Sequence, residues 1–205
     1  METLQGVFAA SDVYRLISNP DQKAVLRKGA KTLCLEKAIE QVTRRPLDKY
    51  TNKNMIQGII QQPKALSMFE EINELEAIKT RSYRWNEHPA ILHSKPDAVI
   101  IRDNQRIALE IKCPTLPYHC KYLLCKSPAH LFYTSKAAYW QCVAHLVCTD
   151  FEKCIFISYF ENDEGIQQIK MLDFVPLDGH VEHFKQCLLL ADAEKTAYIK
   201  QIRGI

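Results

Sequence analysis

Apolar and polar positions along the chain follow two rhythms. Over residues 21–43, Val25, Leu26, Leu33, Ala38, Ile39 and Val42 form a stripe spaced for a helix. Comparable patterning predicts a short helix over 11–18, with Ser11 as the N-cap, and a helix from Asn52 to Ala77, bent or restarted at Pro63. It predicts further helices over 132–149 and from near Pro176 onward, where Val181, Phe184, Leu188, Ala191 and Tyr198 fall near one face. Short apolar runs at 97–102, 106–112, 153–160 and 166–174 predict strands, the first two joined by a tight turn at Asp103-Asn104 and the last two by "ENDEG". Residues 82–93 read as irregular or weakly extended. Residues 113–131, with three prolines, read as a loop, and "RRPLDKYTNKN" reads as a basic loop. The order is helices, strands, helix, strands, helix, which predicts an α/β fold with a central mixed sheet flanked by helices. No repeat or Pro/Gly-rich linker interrupts it, so residues 1–205 read as one domain.

Composition narrows the classes. The chain has 47% hydrophobic and 25% charged residues, the balance of a soluble globular domain with a full core. Its 27 basic and 24 acidic side chains leave a net charge of +3, which permits a polyanionic partner without demanding one. The sequence contains no apolar run of about 18 residues, so no membrane crossing is expected. The N-terminus lacks the basic start and long apolar stretch of a signal peptide, so an intracellular protein is expected. The eight cysteines include no CxxC pair, and several sit in apolar runs, the pattern of reduced core thiols rather than a metal cluster.

The chemistry concentrates in "SKPDAVIIRDNQRIALEIKCP", residues 94–114. With Asp103-Asn104 as a two-residue turn, cross-strand partners have numbers summing to 207, which puts Asp97 opposite Glu110 on one sheet face. Lys112, two residues beyond Glu110, shares that face, while Leu109 and Ile111 point to the other. Two carboxylates so close need a cation. A structural ion pair with Lys112 is one answer. A hard divalent metal such as Mg²⁺ is another, since it accepts oxygen ligands and often only one or two carboxylates. A metal beside a lysine suits phosphodiester hydrolysis.

"PDAVI…ALEIKCP" resembles the PD-(D/E)xK nuclease motif. Four further stretches are similar, in matching order, to one branch of that superfamily, the lambda exonuclease/YqaJ-like viral recombination nucleases. They are "GVFAASDVYRLIS" (6–18), "GIIQQPKALSMFEEI" (58–72), the pentapeptide "EIKCP", and "YWQCVAHLVCTDFEKCIFISYF" (139–160). The resemblance implies the PD-(D/E)xK fold and a Mg²⁺- or Mn²⁺-dependent exonuclease acting 5′-to-3′ on linear double-stranded DNA. It also implies a single-strand annealing partner in viral or prophage recombination, and a ring-shaped homotrimer.

By the same resemblance, Asp97 and Glu110 are metal ligands, the backbone carbonyl of Ile111 completes the shell, and Lys112 is the catalytic lysine. Gln141 matches a glutamine facing the active site; on its residues alone a core hydrogen bond is the other reading. Ser11 matches a phosphate-contacting serine, against its plain reading as an N-cap. Lys95 adjoins the site, either on DNA phosphate or in solvent. The basic stretches "TRRPLDK" and "KTRSYR" line a DNA path or form a solvated face. His93 and His119 lack metal-pair spacing and read as structural. Three features depart from the family. Gln62 stands where the family helix carries a glutamate, a metal ligand without charge; Glu70 or Glu71 could compensate. Leu4 falls near the position of an arginine that reads the 5′-phosphate. The chain is also compact at its N-terminus. The rival readings are a DNA-binding protein on a disabled nuclease fold, an iron–sulfur nuclease of the Cas4 type, and a restriction endonuclease.

Overall fold

In the computed structural model residues 4–47 and 53–204 are described, Asn54 by its backbone alone. The expected helix start at Asn52 and part of the basic loop lie outside the described residues. The elements in chain order are β1 (Phe8–Ala9), a 3-10 turn (Val13–Arg15), α1 (Lys28–Thr43), α2 (Lys53–Asn73), β2 (Tyr83–Arg84), β3 (Leu92–Ser94), β4 (Ala98–Arg102) and β5 (Gln105–Lys112). They continue with α3 (Leu116–Leu123), α4 (Pro128–Thr134), α5 (Lys136–Thr149), β6 (Lys153–Glu161), β7 (Gln167–Phe174) and α6 (His180–Arg203).

The main sheet has the order β4-β5-β6-β7, antiparallel except for the β5–β6 pair. A parallel pair needs a crossover, and α3 to α5 supply it. Both faces are covered. On one, Ala98, Ile100, Leu109, Ile111, Ile155 and Ile157 pack with Ala65 and Phe69 of α2. On the other, Ala108, Cys154 and Phe156 join a larger core built with α1, α5 and α6. In α1 the buried positions Ala30, Leu33, Cys34, Lys37 and Ala38 keep helical spacing. In α6 Phe184, Cys187, Leu188 and Ala191 do the same, as the stripe predicts. Glu40 is also buried; it accepts hydrogen bonds from Lys37 Nζ (2.8 Å), Gly6 N–H (3.3 Å) and Leu47 N–H (3.4 Å). Cys34, Cys125, Cys142, Cys148, Cys154 and Cys187 are buried free thiols.

Several expected elements are redrawn. The helix over 11–18 is one 3-10 turn, because Asn19 precedes Pro20 and the residue before proline is disfavoured in a helix. The helix expected from 21 begins at Lys28: Ala24 is buried and Val25 exposed, the alternation of extended chain, and Val25 N–H bonds Ser18 Oγ at 3.3 Å. The proline-rich loop contains α3 and the start of α4, with prolines in the first two positions of each helix, where the missing N–H and fixed φ favour helix entry. The single helix expected over 132–149 breaks at Ser135, which is extended and accepts Ala138 N–H to cap α5. α2 ends at Asn73, short of Ala77, and runs through Pro63 without a restart. α6 starts at His180. Residues 82–93, expected to be irregular or weakly extended, supply β2 and most of β3, which join β1 in a second sheet of order β1-β3-β2.

Candidate active site

The β4–β5 hairpin has the register predicted from its turn. Asp103 and Asn104 have φ of 52° and 60°, as a type I′ turn requires, and Ala98 pairs with Leu109. Asp97 lies just before β4, one step out of that register: its N–H bonds Leu109 O at 2.9 Å. Its carboxylate Oδ2 accepts the Ile111 N–H at 2.7 Å, standing in for the backbone acceptor that a longer β4 would provide. Since Leu109 C=O faces β4, Ile111 C=O projects from the same edge beyond the strand's end.

Glu110 sits on an interior strand and is 1% exposed. A buried carboxylate is costly unless fully paired, and this one is. Lys112 Nζ donates to Oε1 at 2.7 Å. Gln141 Nε2 donates to Oε2 at 2.9 Å, and His145 Nε2 donates to the same oxygen at 2.5 Å. Lys112 also donates to Gln141 Oε1 at 2.8 Å. Burial pushes the Glu110 carboxyl up, but Lys112 and the bond from His145 overcome it and hold the group at about 2. Burial acts to lower Lys112, and the Glu110 charge more than restores it, keeping the ammonium above its ordinary value. Asp97 lacks such compensation. Burial first, then the Glu110 charge, push its carboxyl up to about 6.

These groups line one cleft of about 400 Å³. Met55, Gly58, Ile59 and Gln62 of α2 form one wall; Cys113, Pro114 and Tyr122 complete it with Asp97, Glu110, Ile111, Lys112 and Gln141. Burial pushes the Cys113 thiol up to about 12, so the cleft offers oxygen donors rather than a thiolate. Among the described residues no three His, Cys, Asp or Glu side chains form a metal-holding group. The donor set is therefore two carboxylates, a backbone carbonyl and an amide. That set fits Mg²⁺ or Mn²⁺, hard cations that take oxygen and complete their shells with water and substrate phosphate.

Other expected residues fall elsewhere. Ser11 is exposed in the turn after β1; Asp12, not Ser11, holds the N-cap position, with no side-chain cap. Lys95 is exposed between β3 and β4 and does not line the cleft. Glu70 accepts Ala77 N–H at 2.8 Å and Glu71 is exposed, so neither stands in for a glutamate at 62. Leu4 is exposed before β1. His119 Nδ1 lies 2.8 Å from Ser158 Oγ, and His93 lies in β3. Sequence reasoning missed His145, and with it Ser94, whose Oγ lies beside the histidine ring. The spacing of His145 from Gln141, one helical turn on the same face, is the only signal available, and it acquires meaning once Gln141 is placed on Glu110.

The profile of the YqaJ-like viral recombinase domain matches residues 4–152. The chain belongs to this family. Its fold is similar to that of an alkaline exonuclease from Laribacter hongkongensis, at TM-score 0.74 and 17% identity over 97% of this chain and 92% of that one. A structure of the same exonuclease in complex with dAMP gives the same figures. A phage-related exonuclease from Haemophilus somnus 129PT matches at TM-score 0.74 and 15% identity, covering 96% of both chains. No curated protein sequence matches. The fold of this YqaJ-like chain is thus of the lambda-exonuclease, PD-(D/E)xK-like type, and family and fold together support a nuclease. Among the described residues no helix is long and apolar enough to cross a membrane.

Proposed function

We propose that this protein is a divalent-metal-dependent deoxyribonuclease of one domain that degrades linear double-stranded DNA from an end, 5′-to-3′. The observation that carries this reading is the convergence of Asp97, Glu110, Lys112 and Gln141 on one cleft at the open end of β4. Asp97, Glu110, the Ile111 carbonyl and Gln62 would hold Mg²⁺ or Mn²⁺. Held there, the cation would polarise the scissile phosphoryl oxygen and acidify a water. Lys112 spends two of its three N–H donors on Glu110 and Gln141, which leaves one for the attacking water or the phosphate. Gln141 keeps that ammonium aimed. Ser11 and Lys95 would touch DNA phosphates outside the cleft. The recombination role, an annealing partner, a homotrimer and an intracellular site of action are what membership of a viral recombinase family favours.

Gln62 favours one second reading, a nuclease fold that binds DNA without cutting it, because an uncharged amide lines the cleft. Digestion of linear duplex DNA, with and without a 5′-phosphate, in Mg²⁺ or Mn²⁺ separates the two. Closed circular DNA and a Lys112→Ala protein are the controls. Loss of linear DNA alone, reduced at least about a hundredfold in the variant, supports the exonuclease. Binding without digestion in either metal sinks it in favour of the second reading.

A further inference from the structure

Glu110 Oε2 takes two donors from α5, Gln141 Nε2 and His145 Nε2, at 2.9 and 2.5 Å. Behind the histidine, Ser94 Oγ lies 2.5 Å from Nδ1. Ser94, Glu110 and His145 are all buried, at 1%, 1% and 0% exposure. A carboxylate only accepts, so Nε2 carries the hydrogen toward Glu110, and the Ser94 hydroxyl meets the opposite ring nitrogen. The ring is fully buried and held at both nitrogens, so the imidazole has one orientation. Ser94 belongs to the small sheet and Glu110 to the main one. The histidine therefore ties the two sheets together through the carboxylate.

Resting on the reading of the cleft as a metal site, we propose that His145, held by Ser94, is a positioning residue that saturates Glu110 Oε2 and leaves Oε1 as the single oxygen with which Glu110 binds the metal. Two donors on Oε2 occupy its lone pairs, whereas Oε1 meets only Lys112. One-oxygen ligation keeps the lysine beside the metal rather than displaced by it. It also explains why a helix position one turn beyond Gln141 carries a buried histidine: a carboxylate free to rotate about its last bond would offer either oxygen. Partners of this kind behind a ligand typically change metal affinity about 10- to 100-fold when removed.

The test measures Mn²⁺ binding by electron paramagnetic resonance, without DNA, in the wild-type protein and in His145→Ala, His145→Gln and Ser94→Ala. DNA affinity in EDTA is measured alongside. His145→Ala is expected to bind Mn²⁺ about 10- to 100-fold more weakly. His145→Gln, whose amide restores a donor toward Glu110, recovers most of that loss, and Ser94→Ala loses several-fold. DNA affinity in EDTA stays unchanged in all three, which a general loosening of the fold would not allow. Wild-type Mn²⁺ affinity in His145→Ala overturns the inference. If that variant does not fold, a Ser94→Ala protein of full affinity overturns it. A wild-type protein that binds no Mn²⁺, or binds it equally after Asp97→Asn, instead brings down the metal reading of the cleft, and this inference with it.

Discussion

Asp97 is the group most at odds with its surroundings, and replacing it by asparagine measures the strain directly. Burial and the Glu110 charge raise its carboxyl from 3.8 to about 6. The folded state therefore holds a proton on Asp97 more tightly than the unfolded chain does. Below about 3.8 the group is protonated in both states and costs nothing. As the pH rises through 6 the folded protein must ionise it, and the stability tied to the bound proton is lost. At pH 7.5 the full difference amounts to about 3 kcal/mol, and since Asp97 is only half-buried, about 1–2 kcal/mol is the expected size. Asparagine keeps an oxygen for the Ile111 N–H and removes the charge. Asp97→Asn should therefore be more stable than wild type by that amount at pH 7.5 in EDTA, with the advantage cut to about a third at pH 4.5. Urea unfolding at the two pH values reads it. Millimolar Mg²⁺ should raise the wild-type midpoint and leave the variant's unmoved, because a cation relieves the repulsion that asparagine has already abolished. A variant no more stable than wild type at pH 7.5, or an advantage that does not change with pH, would show that Asp97 carries no such strain.

Two further substitutions probe the cleft and the buried Lys37–Glu40 pair. Gln62→Glu places a third carboxylate against the cleft; it should tighten Mn²⁺ binding in calorimetry at pH 7.5 and lower the thermal midpoint in EDTA, through added like-charge repulsion. Glu40→Ala should destabilise by about 3 kcal/mol in chemical denaturation, since it strands the buried Lys37 ammonium and removes the acceptor for the Gly6 and Leu47 amides.

The hairpin and its charges were legible in the sequence because every step was local. A two-residue turn sets the register, and strand alternation then sets which side chains share a face. The buried stripes of α1 and α6 were legible for the same reason. The second sheet was not: its strands are two or three residues long, and β1 meets β3 across more than eighty positions, so no periodicity announces them. Prolines misled because Pro117 and Pro128 open helices rather than block them. Within the site, Asp97, Glu110 and Lys112 followed from the hairpin alone. Placing Gln62 and Gln141 in the cleft required the family resemblance, since they arrive on helices whose docking angle no local pattern encodes. His145 and Ser94 escaped altogether, because their meaning lies in a contact spanning 51 positions.

β5 runs inside the main sheet, hydrogen-bonded to β4 on one side and β6 on the other, and it bears Glu110 and Lys112. Backbone so enclosed opens only when the whole domain does. Two of the groups that define the cleft are thus inseparable from the fold's own integrity, and substitutions that loosen them are removed as failures of folding before they are tried as changes of activity. The freedom to alter the chemistry belongs to the helices that approach from outside, α2 with Gln62 and α5 with Gln141 and His145. Gln62, an uncharged side chain lining the cleft, stands on such a helix: the strand is the fixed constraint, and the helices are where new behaviour can accumulate.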